Sequence, residues 1–210
     1  WTLSGTMFAW LDHHDVQGEH LVSASPSPQL ASTVRLAEPE DWVDPLPAAK
    51  ARDLKVVWLG GEWIYRVELK DGVELRRTQD GARIAIDEPL VRRLATERYQ
   101  GDARLTEVLW TPKPTLESRG FDATWQARFD DADGTSLYFS AADGALVATR
   151  TDAWRVFDFF WMLHTMDYRG RDDFNHPLVM LAGAAALWVA FTGLWLLVRV
   201  FVRRRAPVRT

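Results

Sequence analysis

The two stretches that decide the fold are "WIYRVELKDG", Trp63 to Gly72, and "WQARFDDADG", Trp125 to Gly134. They agree at Trp, Arg, Asp and Gly with a constant offset of 62 residues, and Val67/Phe129 and Glu68/Asp130 are conservative pairs. Leu75/Leu137 and Thr78/Ser140 keep the offset, while Asp80-Gly81 meets Asp143-Gly144 after a slip of one residue. Such self-similarity marks two copies of one supersecondary unit. Trp63, Tyr65, Val67 and Leu69 alternate with Ile64, Arg66, Glu68 and Lys70, the period-two pattern of a strand with one buried face, and Trp125, Ala127 and Phe129 repeat it. Asp-Gly supplies the positive-φ residue of a tight hairpin. The pairs at 71–72 and 133–134 are therefore read first as turns, with calcium ligation by the aspartates as the alternative. On this reading Trp63 and Trp125 occupy equivalent buried sites.

Working outward, Asp87 is a helix cap for "EPLVRRLATERYQ", with Leu90, Val91, Leu94 and Ala95 on one face and Gly101 as the stop. A shorter helix, roughly Leu46 to Asp53, is expected in the first copy. "LKVVWL" and "ARLTEVLW" add a strand to each. The expected fold class is α+β: tandem units at 41–86 and 87–152, each one helix on a three-stranded antiparallel sheet.

The apolar residues are polarised towards the ends of the chain. From Leu178 to Val198 there are 21 consecutive residues without a charge, about 31 Å as a helix and close to the hydrocarbon thickness of a bilayer. This reads as a transmembrane helix at 178–202, the alternative being a buried core helix. Arg199, Arg203, Arg204, Arg205 and Arg209 follow the span, whereas only Arg169 and Arg171 lie just before it. That asymmetry places the C-terminal tail, 203–210, in the cytoplasm and the preceding residues on the opposite side. Residues 1–11 are uncharged and too few to span. They are read as the end of a first transmembrane helix, with a cleaved-signal terminus or a short interfacial helix as rivals, followed by a linker at 12–40. Ala182, Ala186 and Ala190 form a small-residue stripe, with Gly193 one step off it, expected to pack against the first helix near Gly5.

There are no cysteines, which excludes disulfide and thiol chemistry. The formal charge is −4 despite the basic tail, so the rest of the chain is acidic and a nucleic-acid partner is not expected. No G-x-S-x-G, H-E-x-x-H or Gly-rich phosphate loop occurs. Carboxylates are scattered in turns, so no acid/base pair can be singled out and no intrinsic enzymatic activity is expected.

At three places the chain resembles the PepSY family and its membrane-anchored members. "SLYFSAADGALVATR", Ser136 to Arg150, is similar to the end of a PepSY meander; "LSGTMFAWLDHHDVQGEHL" looks like the exit of a first helix, with V-x-G-E-H-L at Val16 to Leu21. "FDFFWMLHTMDYRGRDDFNHPLVML" looks like the family's W-x-L-H-x-M-D-Y segment and the N-H-P entry to the next helix. The resemblance implies a bacterial inner-membrane protein with its main domain in the periplasm, acting as a binding or regulatory module on a protein partner. Larger relatives resemble siderophore-iron reductases that carry b-type haem on transmembrane histidines. The alternative it implies is thus an accessory b-haem electron-transfer subunit in iron uptake or periplasmic redox. The span itself contains no histidine.

Two sets of residues carry what chemistry there is. Phe157, Phe160, Trp161, His164 and Tyr168 recur at helical spacing, an aromatic stripe within the segment 153–177 suited to the membrane surface. Within and beside it, His164 and His176 are candidate haem ligands, with His20 as a third, because neutral imidazoles are axial ligands of haem iron. The bland reading gives His164 a hydrogen bond inside the segment and His176 a place between the cap Asn175 and Pro177. Asp12, His13, His14, Asp15, Glu19 and His20 form a second cluster that could hold a transition metal, though at irregular spacing.

Overall fold

The computed structural model of the chain describes residues 2–31, 34–46, 50–168 and 177–204. The elements are α1 (Thr2–Trp10), α2 (His13–Gln17), β1 (Ala51–Leu59), β2 (Glu62–Leu69), β3 (Gly72–Arg77), β4 (Arg83–Ile84), α3 (Glu88–Arg98), β5 (Leu105–Thr111), β6 (Thr124–Phe129), β7 (Ser136–Ser140), β8 (Leu146–Arg150), α4 (Asp152–Thr165) and α5 (Pro177–Arg204). Two compact bodies result, Leu11–Val156 and a second made of Trp1–Trp10 with Phe157–Thr210.

In the first body the class is α+β, as the repeat implies, with two antiparallel meanders in the orders β1-β2-β3-β4 and β5-β6-β7-β8. Each sheet has four strands rather than the expected three, because the chain returns after the Asp80-Gly81 and Asp143-Gly144 turns to add β4 and β8. The short helix expected at Leu46 to Asp53 is corrected: Ala51–Asp53 lie in β1, and residues 47–49 lie outside the described residues. Asp53 and Leu54 pair with Glu68 and Val67 of β2, and Arg52 is the extra residue of a bulge between Ala51 and Asp53.

Helix α3 forms as its sequence dictates. The Asp87 carboxylate accepts from the Leu90 N–H at 2.9 Å, and Leu90, Val91, Leu94 and Ala95 are buried. It ends at Arg98, ahead of Gly101, when Tyr99 turns extended and donates its N–H to Ala95 O. The ring of Tyr99 stacks on Phe129 at 3.9 Å, and its hydroxyl donates to Asp131. Burial and that acceptor push the phenol up. Ile64 and Leu75 from the first sheet, and Ala127, Phe129, Leu137 and Phe139 from the second, meet the apolar face of α3 in one core.

The first hairpin does not have a single buried face. Ile64 enters the shared core, but Tyr65 and Val67 are buried on the opposite face, against Trp42. Trp63 and Trp125 are both half-buried and do not occupy equivalent sites. Trp63 pairs across the strands with Trp58 and alternates to the Tyr65 face, whereas Trp125 pairs with Trp110 and packs on the shared core.

In the second body, Phe8 of α1 meets Phe157, Trp161 and His164 of α4, with ring centroids 5.1, 5.9 and 5.4 Å apart. α5 contains a stretch, Pro177–Phe201, long and apolar enough to cross a membrane, none of whose most apolar window is buried. Among the described residues, a side chain added at Gly5 or at Gly193 would meet nothing within 4 Å.

Candidate functional site: a polar cleft on the second sheet

The outer faces of the two sheets, those turned away from the shared core, are covered differently. On the first, the chain's own segment 37–46 lies across the strands. Trp42 sits 5.0 Å from Tyr65 and stacks under the Arg76 guanidinium at 5.1 Å. Ala37 O accepts from both Trp42 Nε1 and Tyr65 OH, at 3.0 and 2.9 Å. Arg76 is fully buried there, donating to Asp44 O and to Glu74. Paired burial of this kind satisfies a charge that would otherwise be costly.

On the second sheet the outer face is polar. Alternation along β6 and β7 turns Gln126, Arg128, Ser136 and Tyr138 to this side, and all but Arg128 are nearly or fully buried. Glu117, from the loop between β5 and β6, and Arg155, from the first turn of α4, close one end. Tyr138 OH donates to Glu117 Oε2 at 2.6 Å, and Arg155 Nε donates to Glu117 Oε1 at 3.1 Å. Arg155 also donates to Ser136 Oγ and Gly134 O, and Gln126 Nε2 donates to Ser136 Oγ. A cleft of about 550 Å³ remains beside this network, with Thr106, Thr115 and Arg128 on its walls. Its volume lies in the range of ligand sites.

The network fixes protonation states. Burial alone would raise the Glu117 carboxyl, but hydrogen bonds from Arg155 and Tyr138 and the charges of Arg155 and Arg150 hold it below the usual carboxylate range. Tyr138 is pushed up by burial and by the adjacent carboxylate. Burial pushes the Arg150 guanidinium down to about 10, and Arg119 adds to this; the side chain donates to Glu117 O and stacks on Trp154 at 4.0 Å. The cleft thus presents an ionised carboxylate, a neutral phenol and guanidinium groups at fixed positions. That set recognises polar groups by hydrogen bonding; Glu117, the one carboxylate among the described residues on its walls, already accepts from Tyr138 and Arg155.

The residues singled out from sequence are not gathered here. His20 is exposed after α2. The V-x-G-E-H-L segment around it packs through its other members: Val16 and Leu21 are buried, and a side chain at Gly18, φ +63°, would meet Thr149 at 2.9 Å. Residues 12–23 of the expected linker are folded in this way, with Val22 bridged to Tyr99. His164 lies in the last turn of α4, its Nδ1 3.0 Å from Ser4 Oγ. His176 and Asn175 lie outside the described residues. His164 is the one imidazole among the described residues of its body. His14 and Glu19 approach to 3.6 Å on the surface, and no group of three or more candidate metal ligands occurs among the described residues.

Sequence reading missed Glu117, Gln126 and Arg155. Their only signal was indirect: a loop from Pro112 to Ala123 too long for a hairpin connection, which is where binding residues concentrate. No protein-family profile matches the chain, and no curated protein or solved structure is significantly similar to it.

Proposed function

We propose that the chain is a membrane-anchored binding module of the PepSY type, held in a bacterial inner membrane by α5 with Leu11–Val156 on the periplasmic side, and that it engages a protein partner through the cleft on the second sheet. The contrast between the outer faces carries the reading. The first is sealed by the chain's own extended segment, whose backbone carbonyls are bound by a tyrosine and an arginine. The second leaves tyrosine, glutamine and arginine groups around an open cleft. Amide, hydroxyl and guanidinium groups held by one another suit the backbone of a polypeptide, since little ordering entropy is lost when it binds.

The chain's lack of cysteine makes the test direct. A single cysteine replacing Lys113 should react with a membrane-impermeant maleimide in cells whose outer membrane alone is permeabilised, and deleting α5 should release the protein from the membrane. Labelling only after lysis of the inner membrane would overturn the orientation. Purified full-length protein should be colourless; a Soret band would favour the b-haem electron-transfer alternative instead.

A further inference from the structure

Helix α4 carries two apolar stripes, and only one of them is used within the protein. Part of the aromatic stripe expected at the membrane surface is turned inward instead: Phe157, Trp161 and His164 meet Phe8 of α1, and Ser4 Oγ lies 3.0 Å from His164 Nδ1. That side of the helix is filled by α1. Val156, Phe159 and Leu163 recur at intervals of three and four residues and so form a second stripe. All three are exposed, and the ring of Phe160, edge-on to Phe159 at 5.6 Å, extends the surface they make. Large apolar side chains exposed in a contiguous row mark an interaction surface.

Three features name the partner. First, Phe159 and Leu163 belong to the same body as α5, whose stretch Pro177–Phe201 is long and apolar enough to cross a bilayer and has none of its most apolar window buried. The body that bears the stripe thus also bears the segment that meets lipid. Second, α4 has 14 residues, about 21 Å as a helix, which falls short of a hydrocarbon core of about 30 Å. Charges bracket its apolar part: Asp152, Arg155 and Asp158 stand before it, Arg169, Arg171, Asp172 and Asp173 follow, and no Asp, Glu, Lys or Arg occurs from Phe159 to Met166. A helix that is polar at both ends and apolar along one side lies in the interface plane rather than across the membrane.

Third, the one arginine of α4, Arg155, is tied to Glu117 and Asp152. It is not available to lipid phosphates, so the attraction comes from burial of apolar side chains and not from headgroup charge. We propose that α4 is an interfacial helix whose Val156, Phe159 and Leu163 side chains enter the acyl chains just below the headgroups of the periplasmic leaflet, a contact indifferent to the charge of the lipid. The proposal rests on α5 being the membrane anchor and adds to it a second, shallow lipid contact.

The test uses the full chain in liposomes of phosphatidylcholine, alone or mixed with phosphatidylglycerol, and exploits the lack of cysteine. Phe159→Cys and Leu163→Cys, in separate chains, each carry a nitroxide whose relaxation by oxygen, which concentrates among acyl chains, is compared with relaxation by a water-soluble nickel chelate. Lys113→Cys gives the water reference, and Trp188→Cys, within the apolar stretch of α5, the lipid reference. At 159 and 163 the oxygen-to-nickel ratio should lie several-fold above that at 113, below or equal to that at 188, and be the same in both lipid mixtures. Both positions are exposed, so replacement leaves the packing on α1 intact; should one chain fail to fold, the other decides. A ratio at 159 and 163 equal to that at 113, with 188 in lipid, would overturn the proposal and leave the anchor standing. Exclusion of both reagents would overturn it too, since protein would then cover the stripe, as would a raised ratio confined to the anionic mixture. Nickel access at 188 as high as at 113 would overturn the anchor itself, and the proposal with it.

Discussion

The two meanders close on the same turn and bury opposite things. In the first, Gly81 N donates to Arg77 O at 2.9 Å, Arg77 N to Ala82 O at 2.8 Å, and Asp80 accepts from Ala82 N. In the second, Gly144 N donates to Ser140 O at 2.9 Å, Ser140 N to Ala145 O at 2.8 Å, and Asp143 accepts from Ala145 N. Both glycines have φ +69°. Yet Gly81 backs onto Trp42, and Gly144 onto Leu94 and Ile86. The other matched turn differs: Leu69 pairs with Gly72 across a tight hairpin, whereas β6 and β7 stop at Arg128 and Ser136, and Asp131 accepts from Thr135 N to hold a wider loop. This slips the strand register by one, and with a period of two a slip of one exchanges the faces. Ile64 points into the core where its sequence match, Gln126, points out. Only the outward face of the second copy is thereby made polar and left open.

Several substitutions would break or sharpen that comparison. The largest effect belongs to Trp42→Ala, which uncovers Tyr65, Val67 and the buried Arg76 together. It should cost about 3–5 kcal/mol in denaturant unfolding of the first body; a loss under 1 kcal/mol would show that the first outer face is not sealed by Trp42. Next come the matched glycines. Alanine at either adopts a left-handed backbone at about 1–2 kcal/mol. At Gly81 the new Cβ would also lie 2.0 Å from Trp42 Cγ, while at Gly144 it meets flexible methyl ends at 3.1 and 3.2 Å. Gly81→Ala should therefore be the worse by about 1–3 kcal/mol, and equal losses would contradict the different backing of the two turns.

Glu117→Gln tests the network on the open face. A lowered folded-state pKa contributes stability that is present above the unfolded value and lost as pH falls through the folded value. Wild type should therefore lose stability below the ordinary glutamate value of 4.5 more steeply than the variant. At pH 7 the variant should be less stable by about 1–3 kcal/mol. Parallel pH profiles would mean that Glu117 is not held ionised. The smallest effect is expected for Arg92→Ala, which removes an exposed i,i+4 pair with Glu88 and should change stability by less than about 0.5 kcal/mol.

How far the fold could be read follows from the same residues. The α+β class, α3 with its Asp87 cap and the apolar span were legible because each is written in local pattern. The face that each strand buries was not, since it depends on a register set by the geometry of the loop at 130–135. The fourth strand of the first copy was hidden because Arg83-Ile84 is too short to show alternation. The cleft was illegible for a different reason: Glu117 and Arg155 are 38 residues apart and meet only when the loop and the first turn of α4 are both folded beside β7. Of the segments that carry the PepSY resemblance, V-x-G-E-H-L packs through Val16, Gly18 and Leu21, a role that its letters alone do not reveal.

The central claim is that the open face of the second sheet, and not the sealed face of the first, meets a partner. Photo-crosslinking residues placed singly at Arg128, on the wall of the cleft, and at Val43, exposed on the segment that covers the first sheet, address it most directly in membranes of cells that make the protein. Position 128 should yield a discrete crosslink to another protein, lost when Gln126 and Ser136 are replaced by leucine and alanine, while position 43 yields none. Crosslinking at position 43 and none at position 128 would contradict the account.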